Sequence, residues 1–300
     1  MVTCRNELNS FAIIGLGLVG GSIARDLRAK HPDAFIVAID PDKQTINDAI
    51  QSGTINREID YVDLPRSAQV IILAPPIDRV ISCARRVFRS LKSLNSHAFD
   101  RYIILDTASV KKSIAKEFRE LTAKSDRNVD FLATHPMAGT EYSGFSHAQK
   151  GLFRAKPWMV CLHSENSKEA ISVMYEFVRE LGARVVPVGA DEHDKSAAVV
   201  SHAVIVLSNI IFDYIASKHP EALKLAGDGF TSTTRLASGN PELHKNIILN
   251  NSEYTEAILK DFLQFFDNKI TNLSVCDAEL LREYFTHNMN RRNEWIRRKK

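Results

Sequence analysis

A histidine that follows an apolar run and precedes small residues is the most chemically distinctive feature of this 300-residue sequence. His135 opens the segment 135–144, which reads HPMAGTEYSG, directly after the mainly apolar segment 129–134 (VDFLAT). Upstream, the segment 106–111 (DTASVK) places the hydroxyl of Ser109 just after another apolar run. An imidazole with a near-neutral pKa can act as a general base, and a neighbouring hydroxyl can orient it. The pattern indicates acid–base chemistry, although a lone histidine at a strand end is more often a surface or capping residue.

A glycine-rich segment, residues 11–40, indicates a second function. Four apolar residues precede Gly15, Gly17 and Gly20 in the spacing G-x-G-x-x-G, and a helical pattern and a second apolar run lead to Asp40. This order predicts a tight turn that lets the backbone approach a pyrophosphate, which the helix N-terminus binds. Asp40 would accept hydrogen bonds from ribose hydroxyls and repel a 2′-phosphate, which favours NAD over NADP. The residues predicted to contact the cofactor are Gly15, Leu16, Gly17, Leu18, Val19, Gly20, Asp40 and Pro75.

A glycine-rich turn alone would also fit other α/β proteins. In this chain, however, apolar runs and helical patterns alternate through residues 1–189. The alternation implies an NAD-binding domain with a Rossmann-type, doubly wound and mainly parallel sheet, whose ligands bind outside the carboxyl ends of the strands. Ser109 is predicted to cap a helix over residues 111–121, because serine is a natural N-cap. The predicted strands are residues 11–14, 35–39, 69–75, 102–106, 129–134, 158–162 and 184–188.

After Gly189 the apolar residues recur only at helical spacing, so residues 190–300 are predicted to form an all-α substrate and dimerisation domain. The helix over residues 196–217 is apolar on most sides, and such a helix must be buried from most sides. We therefore expect a homodimer in which a second subunit completes the helical core. The other predicted helices of this domain are residues 241–250, 253–270 and 278–291.

The composition narrows the class of protein. A net charge of +3 is small for this length and does not suggest nucleic acid as a partner. The polar N-terminus and the lack of a stretch approaching ~20 apolar residues predict a protein without a membrane partner. The scattered cysteines have no metal-ligand spacing, which predicts no metal and fits reduced thiols in the cytoplasm. These cysteines are Cys4, Cys83, Cys161 and Cys276.

Taken together, these segments resemble the prephenate and arogenate dehydrogenases of tyrosine biosynthesis over nearly the whole chain. Each fragment alone is weak, but their combination is specific. The chain is most like a monofunctional prephenate dehydrogenase, since no chorismate mutase segment precedes the first strand. The matching segments are GLGLVGGS at 15–22, D-x-x-S-V-K ending at Lys111, HPMAGTE-x-SG ending at Gly144, Glu192-His193-Asp194, Ser201-His202 and Thr234-Arg235.

The resemblance implies an NAD-dependent oxidative decarboxylation of prephenate. Hydride leaves C4 for NAD, the 4-hydroxyl loses its proton, and CO2 departs as the ring becomes aromatic. The resemblance further implies that His135 accepts the hydrogen bond of that hydroxyl, that Ser109 orients the imidazole or the hydroxyl, and that Arg235 clamps a substrate carboxylate. The other residues that it places at the substrate are Glu141, His193 and His202.

The chain departs from the family pattern at Ile205, where a second histidine commonly follows the Ser-His pair. That histidine helps to recognise the substrate's side chain, so an arogenate or dual-specificity cyclohexadienyl dehydrogenase is an alternative. A β-hydroxyacid dehydrogenase would rely on a lysine in the helical domain instead. A non-catalytic regulator that senses NAD(H) would not need His135, Ser109 and Arg235 to converge on one pocket.

Overall fold

An eight-stranded sheet forms the N-terminal part of the molecule. The computed structural model describes residues 9–93, 98–125, 128–139, 142–273 and 277–299. The strands are β1 (Ser10–Ile14), β2 (Phe35–Ile39), β3 (Arg57–Glu58), β4 (Val70–Leu73), β5 (Tyr102–Asp106), β6 (Val129–Pro136), β7 (Pro157–Cys161) and β8 (Arg184–Val188). They lie in the order β3-β2-β1-β4-β5-β6-β7-β8, and every neighbouring pair is parallel except β6 and β7. The predicted Rossmann-type, mainly parallel sheet is confirmed.

Helices cover both faces of this sheet. Successive side chains of a strand point to opposite faces, so each face contributes apolar side chains to a core of its own. In β1, Phe11 and Ile13 pack into one core, whereas Ala12 and Ile14 pack into the other. A central strand that is buried on both faces reads as a continuous apolar run, which is how β1 was predicted. The covering helices are α1 (Leu18–Lys30), α2 (Lys43–Gln51), α3 (Leu64–Ser67), α4 (Ile77–Ser93), α5 (Lys112–Ala123) and α6 (Lys168–Glu180).

Strand β6 extends beyond the predicted residues 129–134 and includes His135. Its parallel pairing with β5 ends at Leu132, whereas its antiparallel pairing with β7 runs from Ala133 to Pro136. His135 lies opposite Met159 of β7. At His135, β6 pairs only with β7, and His135 therefore lies beyond the end of β5. This position is at the carboxyl edge of the parallel strands.

Beyond β8 the elements of the described chain are helices. The helices α7 (Ala190–Ala197) and α8 (Ala203–Lys218) join through a π-helical turn (Ala198–His202) into one continuous helix. The predicted helix over residues 196–217 thus began too late, and the π turn was not predicted. Such turns often occur at functional sites, and this one ends at His202. The remaining α-helices are α9 (Asp228–Thr234), α10 (Pro241–Asn250), α11 (Ser252–Leu273) and α12 (Ala278–Lys299).

The helical region exposes large apolar side chains. Helix α8 buries Ala203, Ile205 and Ser208 but exposes Ile210 and Phe212. The continuous helix Ala190–Lys218 is long and apolar enough to span a membrane by length and composition alone, which corrects the expectation that no stretch approaches that composition. A helix that packs against a second subunit can have the same composition, because it too must bury apolar side chains on several sides.

Candidate active site

The glycine turn lies at the crevice between β1 and β4, where the strand order reverses and doubly wound sheets bind ligands. Gly15 follows β1 with a φ of +94°, a left-handed conformation that favours glycine. A Cβ on Gly15 would lie 2.6 Å from the carbonyl oxygen of Ala74 and 2.8 Å from the nitrogen of Pro75. A Cβ on Gly20 would collide with the carbonyl oxygen of Gly15. The glycines therefore allow the tight turn and the close packing of α1 on the sheet.

Asp40 fixes the shape of this turn from the end of β2. Its Oδ2 accepts the N–H of Leu16 at 2.7 Å, and its Oδ1 accepts the N–H of Asp42 at 2.9 Å. The Leu16 side chain is fully buried in the core. Asp40 and the core thus hold the turn from two sides, and the contact of Asp40 with a ribose stays a prediction.

The N-terminus of α1 is open to an anion. The helix begins after Gly17 with neither a side-chain cap nor an acidic residue in its first turn. The first amides of an α-helix have no acceptor within the helix, so those of Leu18 and Val19 are available. A Cβ on Gly17 would have no neighbour within 4 Å. The free amides and the open approach at Gly17 fit the pyrophosphate of a dinucleotide.

Alanine substitutions at two of the glycines are expected to have different effects. Gly17→Ala should leave the unfolding free energy of the free protein unchanged but raise the Kd for NADH at least about tenfold, since its methyl group occupies the approach to the pyrophosphate. Gly20→Ala should lower the unfolding free energy by about 1–3 kcal/mol, because its methyl group meets backbone. Fluorescence titration with NADH and urea unfolding of both variants measure these effects. Unchanged NADH binding by Gly17→Ala would contradict this placement of the pyrophosphate.

A chain of three buried side chains ends at His135. Nδ1 of His135 lies 2.9 Å from Nε2 of His193, and Nδ1 of His193 lies 2.8 Å from Oδ1 of Asp194. His193 is 0% exposed, and protein groups engage both of its ring nitrogens. His135 is 9% exposed, and within the described part of the chain only its Nδ1 is hydrogen-bonded. Nε2 of His135 is therefore the nitrogen available to a ligand.

The imidazole of His135 is held in its neutral form. Burial lowers the pKa of His135 well below its usual value of 6.5, and the nearby His193, Lys111 and His202 lower it further. A neutral imidazole with an available ring nitrogen is the form that can accept a proton. The site can therefore act as a base without first losing a proton.

Asp194 reaches from α7 to the N-terminus of α5. Its Oδ1 accepts the N–H of Lys111 at 2.7 Å, and its Oδ2 accepts the N–H of Lys112 at 2.9 Å. Free backbone amides and the helix dipole both stabilise a carboxylate at this position. The predicted cap by Ser109 is wrong, because α5 begins at Lys112 and the cap position is Lys111. Asp194 supplies the capping carboxylate from another part of the chain.

The same helix entry contains a fully buried ion pair between Lys111 and Asp106. Nζ of Lys111 also donates to the carbonyl oxygen of Thr134 at 2.8 Å. Asp106 further accepts the N–H groups of Thr134 at 3.1 Å and Ala108 at 3.0 Å. The pair connects the end of β5 to Thr134, which precedes His135. It also places the positive charge of Lys111 near the imidazole of His135.

His202 belongs to a second buried hydrogen-bond group. Nδ2 of Asn251 lies 2.8 Å from the carbonyl oxygen of Asp194 and 3.0 Å from Nδ1 of His202. A carbonyl oxygen only accepts, so the Asn251 amide nitrogen is the donor and Nδ1 of His202 is the acceptor. Burial lowers the pKa of His202 to about 4, so the neutral ring carries its proton on Nε2. That buried N–H has no acceptor among the described residues, and a bound ligand could supply one.

The other residues predicted to contact the substrate differ in their exposure to solvent. Ser109 is half-buried in the segment between β5 and α5. Arg235 is exposed and begins the short 3-10 helix Arg235–Ser238 after α9. Glu141 lies outside the described residues. The roles of these residues at the substrate stay predictions.

Three residues of the site were given no role from the sequence. Asp194 stood in a recognised segment, but its bonds to the start of α5 span 82 and 83 residues and depend on the fold. Lys111 likewise ended a recognised motif, and lysine is seldom fully buried. Asn251 follows α10, where an asparagine usually indicates only the end of a helix. Its bond to His202 had no signal in the sequence.

A Rossmann-type sheet with an anion-accepting helix N-terminus and a neutral histidine at its carboxyl edge defines a class, the dinucleotide-dependent oxidoreductases. The chain belongs to the prephenate dehydrogenase family. Residues 23–187 match the nucleotide-binding domain of that family, and residues 189–287 match its dimerization domain. The family expected from the sequence motifs is thus confirmed.

Individual relatives carry related names. The chain is 29% identical to a prephenate dehydrogenase of Lactococcus lactis subsp. cremoris over 282 residues, which cover 93% of this chain and 75% of that protein. It is 26% identical to a cyclohexadienyl dehydrogenase of Zymomonas mobilis over 287 residues, which cover 94% of each protein. Relatives with different substrate names therefore share this sequence pattern.

Solved structures of the family share the fold. A prephenate dehydrogenase from A. aeolicus, in complex with hydroxyphenyl propionate and NAD+, superposes with a TM-score of 0.82 at 24% identity and covers 97% of this chain and 99% of that chain. A Synechocystis arogenate dehydrogenase superposes with a TM-score of 0.77 at 24% identity and covers 95% and 99%. The two-part architecture is thus common to both.

Proposed function

We propose that the protein catalyses the NAD-dependent oxidative decarboxylation of prephenate to 4-hydroxyphenylpyruvate, with release of CO2 and NADH, in tyrosine biosynthesis. The observation that carries this proposal is the neutral, buried His135, whose Nε2 is available at the carboxyl edge of the sheet. The names of the curated relatives support the substrate class, and NAD+ in the A. aeolicus structure supports the cofactor. Asp40 at the end of β2 would disfavour the 2′-phosphate of NADP.

The reaction would need a hydride acceptor and a general base at this site. The glycine turn and the first amides of α1 would hold NAD, which would supply the acceptor for the hydride at C4 of the substrate. Nε2 of His135 accepts the proton of the 4-hydroxyl, a contribution of roughly 10²–10⁴ in rate for a general base. Loss of CO2 makes the ring aromatic, so the protein mainly needs to position the substrate and supply one base.

Other polar groups would hold the substrate. The Nε2–H of His202, which has no acceptor in the described part of the chain, would donate to a substrate oxygen. The planar guanidinium of Arg235 would bind a carboxylate with two parallel hydrogen bonds. Ser109 would orient the reacting hydroxyl, and Glu141 would lie near the pocket entrance.

The pH dependence of the reaction follows from the environment of His135. Burial lowers the pKa of its imidazole, so the base stays unprotonated at pH values where an exposed histidine would be charged. We expect kcat/KM for prephenate to fall on the acid side only below pH 6.5, as His135 becomes protonated. A pH–rate profile measures this limb. An acid limb centred above pH 6.5 would contradict the assignment.

Ile205 supports a second candidate, which differs from the first in the side chain of its substrate. Ile205 lies one helical turn after His202 and is 7% exposed, so the two residues share a face of the helix. An apolar side chain there neither donates to a keto acid nor distinguishes it from an amino acid. The second candidate is therefore an arogenate or dual-specificity cyclohexadienyl dehydrogenase.

A comparison of kcat/KM for prephenate and arogenate decides between these candidates. We expect a higher kcat/KM for prephenate, whereas a higher kcat/KM for arogenate would select the second candidate. Ile205→His adds a hydrogen-bond donor beside His202 and should change the ratio of the two values. Ile46→Val in the core of the nucleotide-binding domain serves as a control that should leave the ratio unchanged.

We infer that the protein is a cytoplasmic homodimer whose subunits meet through the helical domain. The match to a dimerization domain and the exposed apolar side chains of α8 and α11 support this inference. The apolar helix Ala190–Lys218 would then be buried against a second subunit rather than in a membrane. Light scattering should give the mass of a dimer at micromolar concentration, and a stable monomer would contradict the inference.

A further inference from the structure

The hydrogen bonds of His193 determine which nitrogen of His135 carries a proton. Nδ1 of His193 faces the carboxylate of Asp194, and an ionised carboxylate only accepts, so this Nδ1 carries a proton. Nε2 of a neutral His193 is then a lone pair. Nδ1 of His135, 2.9 Å away, must donate to it. His135 therefore keeps its other nitrogen, Nε2, unprotonated.

We propose that Asp194 and His193 are positioning residues that hold His135 in the tautomer with its proton on Nδ1 and its lone pair on Nε2. This proposal rests on the proposed function, in which Nε2 accepts the proton of the substrate's hydroxyl. In that step the proton moves from the hydroxyl oxygen to Nε2, and Nδ1 of the resulting imidazolium continues to donate to His193. No proton needs to move along the chain of residues.

The other tautomer of His135, with its proton on Nε2 and its lone pair on Nδ1, would need a doubly protonated His193. Its Nε2–H would donate to Nδ1 of His135, which would then carry its own proton on Nε2 and could not act as a base. The surroundings disfavour this state. The amides of Lys111 and Lys112 already stabilise the carboxylate of Asp194, and the buried ammonium of Lys111 lies nearby. A second cation buried at the same place would be costly.

The position of His193 also separates it from the substrate. Its side chain is 0% exposed, and protein groups engage both of its ring nitrogens. The family resemblance placed His193 at the substrate, but this geometry gives it a role through His135. Asp194 is 2% exposed and acts one step further away, where it fixes His193 and the start of α5.

Nitrogen NMR of the full-length protein labelled with ¹⁵N-histidine tests the tautomer directly. Two-bond correlations to the ring hydrogens distinguish a protonated ring nitrogen from one with a lone pair, and His135→Gln identifies the signals of His135 by their loss. We expect Nδ1 of His135 to be protonated and Nε2 to be unprotonated near neutral pH. The reverse pattern would overturn the proposal whether or not the protein turns over prephenate.

A pair of variants at His193 tests the consequence for catalysis. His193→Gln places an amide oxygen, which can accept a hydrogen bond, close to the position of Nε2, whereas His193→Leu offers no acceptor. His193→Leu should lower kcat at least about tenfold, towards the 10²–10⁴ of the whole base contribution, with little change in KM or in the Kd for NADH. His193→Gln should recover most of that loss. An unchanged kcat in His193→Leu would overturn the proposal.

These measurements separate the positioning role from the proposed function. If His193→Leu fails to fold, the NMR measurement on the unaltered protein still decides the tautomer. If the expected tautomer is present but no cyclohexadienyl substrate is oxidised, the proposed function is refuted and the tautomer assignment stands.

Discussion

Replacement of His135 by alanine is expected to lower kcat for prephenate oxidation by roughly 10²–10⁴-fold, the usual contribution of a general base. The reason is that Nε2 of His135 is the available acceptor at the end of a buried hydrogen-bonded chain. The glycine turn that would bind the cofactor is separate from this chain, so the Kd for NADH should stay nearly unchanged. Steady-state kinetics and fluorescence titration with NADH measure the two effects.

A histidine away from the site provides the control for this experiment. His31 follows α1 and pairs with Glu180 at the surface, at a distance of 3.0 Å. His31→Ala should therefore keep the kcat of the unaltered protein. A normal kcat in His135→Ala would show that another group removes the proton, and the assignment of the base would be wrong.

Replacement of Lys111 by methionine is expected to lower the free energy of unfolding by about 3–5 kcal/mol, the cost of leaving a buried charge without its partner. Lys111 and Asp106 are both 0% exposed, so water cannot replace the lost ammonium. Burial already raises the pKa of Asp106, and loss of Lys111 should raise it further. The loss of unfolding free energy in Lys111→Met should therefore become smaller as the pH falls and Asp106 takes up a proton. Urea unfolding at several pH values measures both effects.

Two comparisons make the Lys111 experiment specific. Lys43 forms an ion pair with Glu58 while its side chain is 73% exposed, so Lys43→Met should leave the urea midpoint nearly unchanged. Adding Asp106→Asn to Lys111→Met should cost less than the sum of the two single changes, because the buried charge is then absent. A Lys111→Met variant as stable as the unaltered protein would contradict the description of this pair.

Much of the sheet could be predicted because its central strands are apolar on both faces. A strand such as β1 needs no alternation in its sequence, and the glycine spacing after it has few other interpretations. Strand β3 was not predicted, because Arg57–Glu58 is a two-residue strand with no apolar run. The π turn before α8 also had no local signal, since the apolar pattern continues through it.

The site was predictable only where a motif lies within one short segment. His135 and the glycines belong to such segments, so their types and spacing indicated their chemistry. The bonds from His135 to His193 and from Asn251 to His202 join residues that are 58 and 49 positions apart. Only the fold brings these pairs together. The cap of α5 was assigned to Ser109 for the same reason, because the carboxylate of Asp194 comes from a distant helix.

The most direct test of the central claim is the NADH absorbance of a mixture of the protein, NAD and prephenate, combined with analysis of the products. We predict that NADH, CO2 and 4-hydroxyphenylpyruvate form in equal amounts, and that the reaction is faster with NAD than with NADP. NADH binding without formation of NADH from NAD, with either prephenate or arogenate, would contradict the proposed dehydrogenase activity. Such a result would instead favour a regulator that senses NAD(H).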